Sequence, residues 1–412
     1  MSNKISTYTA IELGTSAIKV LMAVPETETT LRIIGSHEVP TGPKVMKGEI
    51  TELTGMVDLL TEALNEVESE ARRPIERVAL AVTGDHIASV NHRARIPING
   101  SDRRITEMDV DLVTRQAHSR GVPLNKREVY ACHRAYLVDG DRQVAEPVGM
   151  VASQLTALVH VAYGQDARLL TAEELVNDVI ARPPDDITFS GIAAYHGVGV
   201  DSSAGVLVID IGAGVTEYAV FFDGGCMLSG QFTVGSDHLA NDLSLGLGLP
   251  MPKCRDLILK YGCALRHTKS RNIRVEMPAG HPPREFKELT LQTIVEVRLR
   301  ELFELIRTEL ERHEVLGHVA GGVWLCGGCA QISEIDALAK SVFRSPVTVG
   351  IPGHVIGPDV VVNSPRYVTP VGLLQLSWAS EMMEMDDSPS GWDTLRSEVS
   401  GFFKLAKRAI RI

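Results

Sequence analysis

Two segments of this 412-residue chain repeat one design, so the fold must use the same hairpin twice. Tyr8 to Leu13 runs with period two, breaks at Gly14-Thr15-Ser16 and returns as Ala17 to Val24. Val206 to Asp210 runs the same way, breaks at Gly212-Ala213-Gly214 and returns as Glu217 to Phe222. Both read as a strand, a tight turn and a returning strand. An acid, Glu12 or Asp210, stands at the end of each outgoing strand.

Small residues at such turns let backbone N–H groups approach an anion, and concave arrays of N–H groups cradle phosphates. Acids beside phosphates make sense when Mg2+ lies between them, held through bound water. Glu12 and Asp210 are the candidates for that role, and Lys19 on the first returning strand can reach back toward the same phosphates. A third element is Leu325-Cys326-Gly327-Gly328-Cys329-Ala330-Gln331, a strand, a double-glycine turn and a predicted helix that can lie flat on a base or ribose. Taken singly, either hairpin also reads as an ordinary turn whose glycines serve only the chain reversal.

Between these motifs, strands alternate with helices, which indicates α/β layers. Leu53 to Arg72 carries Leu53, Met56, Leu60, Leu64 and Val67 at helical spacing, and Val78 to Val82 reads as a buried strand. Residues 85–162 read as a small inserted α+β domain, with strands His86 to Ile98, Val129 to Val138 and Gln154 to Tyr163 around a helix Glu107 to Arg120. Helices are predicted at Thr171 to Arg182 and Val295 to Glu314, and Glu381 to Gly391 reads as an acidic linker.

Hydrophobic residues make up 44% and charged residues 23%, which suits a folded multi-domain chain. A net charge of −11 argues against a general nucleic-acid binder. No run reaches the roughly 18 apolar residues of a membrane span, and MSNKISTYT lacks the pattern of a signal peptide. Six unevenly spaced cysteines fit reduced thiols in a cytosol. Cys326 and Cys329 form a CxxC, but zinc wants four ligands and no second pair at suitable spacing accompanies them. His313 and His318 are five apart, so they diverge by about 140° on a helix and miss the zincin arrangement.

The C-terminal segment reverses the charge. Gly401 to Ile412 carries Lys404, Lys407, Arg408 and Arg411 and no acid. Leu395, Val399, Phe402, Phe403, Ala406 and Ile410 recur at spacings of three and four, giving one apolar face, with Trp392 at its start. A helix of this kind lies in the interface of an anionic bilayer. A helix docked on the protein's own body, or a calmodulin-type target, has the same pattern. Four buried apolar side chains at ~1.5 kcal/mol each and four cations at about 1 kcal/mol each, less ordering costs, describe a reversible anchor.

The quoted hairpins and the late Gly-Gly turn resemble the nucleotide-binding elements of the superfamily that includes actin, heat-shock chaperones and sugar kinases. Within it the chain is similar to the FtsA family of bacterial division proteins, through IELGTSAIKV, VTGDHIASV, EPVGM, DIGAGVTEYAVF, VGSDHLANDLSLGLGLP, PPREF, TIVEVRLRELFEL, LCGGCAQI and VGLLQL, from residue 9 to 376. The resemblance implies a two-lobed actin-like (ASKHA) α/β fold with an inserted small α+β domain of SHS2 type and a C-terminal amphipathic helix. It divides the chain into a lobe 1 core (residues 1–84, 163–203 and 365–380), the insert (85–162), a lobe 2 core (204–238 and 306–364), an outer part of lobe 2 (239–305), a linker (381–391) and a membrane-targeting helix (392–412).

It also implies ATP with Mg2+ bound by Glu12, Gly14, Thr15, Ser16, Lys19, Asp210, Gly212, Ala213, Gly214, Glu217, Gly235, Gly327, Gly328 and Gln331. The implied role is a membrane anchor and scaffold of the division ring. Such a protein tethers FtsZ filaments to the cytoplasmic face of the inner membrane, self-associates into filaments and recruits later division proteins. The outer part of lobe 2 would receive the FtsZ C-terminal tail, from a basic supply of Arg266, Lys269, Arg271, Arg274, Arg284 and Arg298, with Arg284 and Arg298 as contacts. Anionic lipid would meet Trp392, Leu395, Val399, Phe402, Phe403, Lys404, Lys407, Arg408, Ile410 and Arg411.

The sequence departs from the family pattern where it bears on chemistry. Ala213, Val215 and Glu217 stand in place of a Gly, a Thr and an Asp, and Cys254, Arg255 and Ile258 in a segment that usually carries Ala-Glu and a Lys. A methyl at 213 narrows the approach to phosphate, and Val215 lacks a hydroxyl. Weak ATPase activity at most is the expectation. The rival readings are a small-molecule kinase and a pilus-assembly ATPase of the PilM type on the same fold. The first would need a catalytic base and a second pocket, for which no motif appears.

Overall fold

The computed structural model describes residues 6–386, apart from 101, 145, 268–269 and 278–281. The first hairpin, Tyr8–Leu13 and Ala17–Thr27, sits inside a six-stranded sheet. Thr30–Pro40 pairs antiparallel beyond the returning strand, while Arg77–Val82 and then Asp186–Phe189 add parallel strands on the other side. The second hairpin, Val206–Ile211 and Thr216–Phe222, is flanked in the same way. Gly225–Phe232 adds antiparallel to its returning strand, while Val323–Cys326 adds parallel to its outgoing strand and Val347–Val349 parallel beyond that. The repeat seen in sequence is therefore a repeat of sheet topology, one copy per lobe. Parallel strands covered on both faces explain the near-continuous Val, Ile, Leu and Ala runs.

Each sheet is closed by helices whose apolar stripes the sequence displays. Leu53–Ala71 buries Met56, Leu60, Ala63, Leu64 and Val67 against the lobe 1 sheet, while Leu53 at its start is exposed. Glu288–Arg312 buries Leu291, Val295, Leu299, Phe303 and Ile306 in lobe 2, and starts seven residues before the expected Val295. Val368–Asp386 crosses Ser190–Val198 closely enough that a Cβ on Gly197 would lie 1.9 Å from the Val368 carbonyl oxygen. Only glycine permits that crossing, which sets how closely the chain's last described helix packs on Ser190–Val198.

Between residues 84 and 165 the chain leaves the first sheet and forms another. Its strands run Ala88–Pro97, Gln154–Gln165, Lys126–Val138 and Arg142–Val144, all antiparallel. The helix Glu107–His118 packs on it, started by a capping box in which Thr106 and Asp109 each accept the other's backbone N–H. Another part of this unit meets the lobe 2 strand Gly225–Phe232. Ser89 donates to the Ser229 carbonyl (2.6 Å), and Asn91 donates to the Met227 carbonyl (3.0 Å). The insert thus touches both lobes.

One expectation is corrected here. The stretch from 381 was expected to be linker, yet the helix Val368–Asp386 continues through six of its residues. Glu and Met are good helix formers, and an already formed helix extends at low cost through them. The double-glycine turn, read as leading into a helix, does so in two steps: a single 3-10 turn at Gly328–Gln331, then the α-helix Ile335–Phe343. The rest of the linker and the amphipathic segment 392–412 lie outside the described residues. Among the described residues no helix is long and apolar enough to cross a membrane.

Candidate functional site

The duplicated sheets place their hairpin turns face to face. In the first hairpin Glu12 lies opposite Lys19 across the strands, and in the second Asp210 lies opposite Glu217. The turns close alike, with Gly14 N–H donating to the Ala17 carbonyl (3.1 Å) and Gly212 N–H to the Val215 carbonyl (3.0 Å). A Cβ on Gly214 would stand 2.6 Å from Thr15 Oγ1 and 2.9 Å from Lys47 Cα. The two turns therefore approach each other too closely for a side chain at 214. Thr15 also accepts the Gly48 N–H (3.1 Å), tying the loop at 47–48 to the first turn.

The other predicted elements converge here. Ser236 and Asp237 N–H groups donate to the Gly212 and Ala213 carbonyls, so Gly235 is packed directly under the second turn. Cys326 is in register with Asp210 on the parallel strand. Gly327, at φ 85, passes so near Asp210 that a Cβ would stand 2.2 Å from its Oδ1. Gly328 is exposed, with nothing nearer to its Cβ direction than Arg366 Cγ at 4.0 Å, so it presents a bare backbone surface. Ser16 and Gln331 are both exposed.

The charges are out of balance. Lys19 donates to Glu12 Oε1 at 2.8 Å and is only 8% exposed, so without a ligand its ammonium is held by that carboxylate rather than projecting toward phosphates. Glu12 Oε2 is buried with no hydrogen-bond partner among the described residues. Asp210 accepts from the Thr369 hydroxyl, and Glu217 accepts from the Thr83 hydroxyl. Burial pushes the pKa values of all three carboxyls up. Glu217 reaches about 8, because burial is reinforced by the nearby Asp210.

Glu12 and Asp210 face the buried Lys19, and Glu217 stands beside those two acids, a surplus of carboxyls that suits an added divalent ion. They do not converge within 4.8 Å as a joint ligand set, so contact through bound water is the arrangement that fits Mg2+. Glu12 and Asp210 are the acids that would hold it, with Glu12 Oε2 available to accept from a metal-bound water.

Thr83, Thr369 and Lys47 were not foreseen. Thr83 and Thr369 come from lobe 1 elements and hold lobe 2 acids, a partnership with no local sequence signal. Lys47 has a left-handed backbone (φ 52) followed by Gly48, and that Lys-Gly pair was the available hint.

Family comparison agrees with this geometry. The model described as "Cell division protein FtsA" matches residues 207–372, and "SHS2 domain inserted in FTSA" matches residues 84–163. The cell division protein FtsA of Pseudomonas aeruginosa is 28% identical over 388 residues, covering 92% of this chain and 91% of that protein. FtsA of Escherichia coli K12 is 28% identical over 385 residues, 90% of each. The chain belongs to the FtsA family.

FtsA membership makes this a bacterial cell-division protein with a part in the division ring. Among solved structures, the PilM–PilN type IV pilus biogenesis complex aligns at TM-score 0.64 and 14% identity, over 90% of this chain and 98% of that one. MreB5 of Spiroplasma citri bound to ADP aligns at TM-score 0.53 and 14% identity, over 93% and 99%. These likenesses establish the actin-like fold.

Other candidate residues of this FtsA-family chain are placed differently from one another. Arg298 donates to Asp242 at 2.6 and 3.1 Å and to Glu301 at 2.6 Å. Arg266 pairs with Glu296, Arg271 with Glu288 and Arg274 with Glu276. Arg284 donates to the Leu247 and Gly248 carbonyls, closing the end of the helix Ser236–Leu247. Four of the five described arginines of the expected basic supply are thus paired with adjacent acids, and Arg284 with backbone carbonyls, which a count of arginines could not reveal. Lys269 lies outside the described residues.

Arg255 pairs with Asp237 at 2.9 Å on the surface, whereas Cys254 and Ile258 are buried in lobe 2 packing. Cys326 and Cys329 are both buried, and Cys326 donates to the Ile209 carbonyl, as packed thiols do.

Proposed function

We propose that this protein is a nucleotide-binding adapter of the division ring, taking ATP with Mg2+ in the cleft between the two hairpin turns. The observation that carries the reading is the meeting of both turns beside Glu12, Asp210 and Glu217, with Lys19 as the buried cation that faces the first two. The N–H groups of Thr15, Ser16, Ala213 and Gly214, the turn residues beyond the closing bonds of Gly14 and Gly212, would cradle the phosphates, and the bare Gly328 surface suits a flat ribose or base. Mg2+ would neutralise phosphate charge beside the acids.

The same acids argue against efficient hydrolysis. A general base must be ionised at working pH, and burial keeps the Glu217 carboxyl protonated up to about 8 in the ligand-free protein. Nucleotide in this chain serves chiefly to join the lobes, with slow turnover at most. The cleft binds both lobes through Thr83–Glu217 and Thr369–Asp210, so a ligand here stabilises the closed shape that a self-associating filament subunit needs.

The family resemblance supports the rest of the reading. The outer part of lobe 2 receives the acidic FtsZ tail, subunits associate through the body, and residues 392–412 hold the assembly to the cytoplasmic face of the inner membrane. Later division proteins are then recruited to the anchored filament. One tail binds reversibly, and many tails on one filament bind durably by avidity.

The deciding experiment is calorimetry of the full chain with ATP and Mg2+, repeated with Gly328→Trp. The parent should bind and the variant should lose affinity at least tenfold, because an indole would cover the open glycine surface. Equal affinity would place the nucleotide elsewhere.

A further inference from the structure

Away from the cleft, Cys263, His267 and Glu334 bring one sulfur, one imidazole nitrogen and one carboxylate oxygen together at the junction of the outer part of lobe 2 with its core. Cys263 follows the helix Met251–Tyr261 and forms an isolated parallel bridge with Ser333, whose carbonyl also accepts the Ala264 N–H at 2.8 Å. That bridge sets Cys263 beside Glu334, the residue just before the helix Ile335–Phe343, held at φ 60. Four residues on, the His267 backbone N–H donates to Gln292 Oε1 at 3.0 Å, which ties the chain there to the helix Glu288–Arg312.

The three atoms form a nearly regular triangle. Cys263 Sγ is 3.4 Å from His267 Nε2 and 3.2 Å from Glu334 Oε2, and His267 Nε2 is 3.4 Å from the same oxygen. A nucleophilic relay would use both nitrogens of the imidazole, one toward sulfur and one toward carboxylate. Here a single nitrogen faces both partners, which is the arrangement of ligands around a shared centre.

Tetrahedral zinc with bonds of about 2.3 Å to sulfur and about 2.0–2.2 Å to nitrogen and oxygen separates its ligand atoms by roughly 3.4–3.6 Å. The observed sides agree within a few tenths of an ångström. The geometry points to a zinc site at Cys263, His267 and Glu334, with water as the fourth ligand.

Side-chain chemistry favours zinc over harder ions. A thiolate and an imidazole select Zn2+ against Mg2+ or Ca2+, and one carboxylate is compatible with it. His267 and Glu334 side chains are about half exposed (52% and 40%), so the fourth position opens to solvent, whereas Cys263 is buried. On binding, the Sγ–H bond breaks and a Zn–S bond forms, and the proton leaves to solvent. The ion, the thiolate and the carboxylate then sum to zero charge. No oxidation occurs. The consequence is a staple between the segment after Tyr261 and the helix at 335–343, which stiffens the outer part of lobe 2 against its core.

The inference does not depend on nucleotide binding, and its test is separate. Full-length protein is stripped with a chelator, reloaded with one equivalent of zinc and freed of excess by gel filtration, and bound metal is counted by mass spectrometry. One zinc per chain is expected, with a rise in the unfolding midpoint. Cobalt in its place should give a thiolate charge-transfer band.

Cys263→Ser should remove that band and lower zinc affinity at least tenfold, while Cys254→Ser, on a nearby buried thiol, should leave both intact. The half-exposed His267→Ala supplies the same loss if the serine variant does not fold. A parent that retains no zinc, or a cobalt band that survives in Cys263→Ser and in His267→Ala, would overturn the assignment.

Discussion

The Thr83 hydroxyl, at the end of a lobe 1 strand, donates to the Glu217 carboxyl on the returning strand of the lobe 2 hairpin. This contact crosses the cleft and joins an alcohol to an acid that burial holds up to about pKa 8. A group whose pKa is raised on folding stabilises the native state below its unfolded value, about 4.5. That stability is lost as pH climbs toward about 8. Glu217→Gln keeps an oxygen to accept from Thr83 and has no proton to lose. Without nucleotide, the thermal midpoint of the variant should gain on the parent progressively between about pH 5 and pH 8. Parallel curves over that range would show that Glu217 ionises as freely as in water.

His160 has the opposite sign. It lies buried at the contact between the insert and lobe 2, with Nδ1 2.8 Å from Asn91 Oδ1 and Nε2 2.8 Å from Ser229 Oγ. Burial, with a smaller push from Arg134, lowers its pKa to about 3. The unfolded chain then takes up a proton near pH 6.5 that the folded chain refuses. Stability present above pH 6.5 should fall as the pH drops toward 3. His160→Gln should be less stable than the parent at pH 7 and show a shallower loss on acidification, read by denaturant unfolding at several pH values. An unchanged acid slope would mean that His160 is not the group responsible.

What was legible in the sequence follows from what is local. The hairpins, the turn glycines and the apolar stripe of Leu53–Ala71 all obey short-range periodicity, and each was found where expected. Pairings between distant segments were not legible. Thr83 with Glu217 spans 134 residues and Thr369 with Asp210 spans 159, and neither threonine differs in sequence from a core or cap residue. Cys263 and His267 stand four apart, but Glu334 joins them only through a single bridge to Ser333. Charge counts misled for the same reason, because Asp242 cancels Arg298 from 56 residues away.

That cancellation shapes the expected behaviour of the proposed tail site. Arg298 is engaged by Asp242 and Glu301, so an acidic peptide must compete with two carboxylates for one guanidinium. Asp242→Asn should therefore strengthen binding of an acidic FtsZ tail peptide several-fold by fluorescence anisotropy. Arg298→Ala should weaken it, while costing about 1 kcal/mol of stability for a half-buried bidentate pair. Should neither variant change the anisotropy titration, Arg298 is a structural arginine and the peptide binds elsewhere.

The strongest expectation for the C-terminal segment rests on its spacing of apolar residues. At helical spacing, Leu395, Val399, Phe402, Phe403 and Ile410 would fall on one face, flanked by Lys404, Lys407, Arg408 and Arg411. A chain truncated after Gly391 keeps every described helix and strand, so it should fold and bind nucleotide as the parent does. It should also stay at the bottom of a flotation gradient with anionic liposomes, where the full chain rises. Phe402→Glu puts a charge on the apolar face and should act nearly as truncation does. Raising salt should remove only part of the parent's binding, because screening weakens the cationic share and leaves the apolar one. A truncated chain that still floats would move the anchor into the body, and the tether would then need a different physical basis.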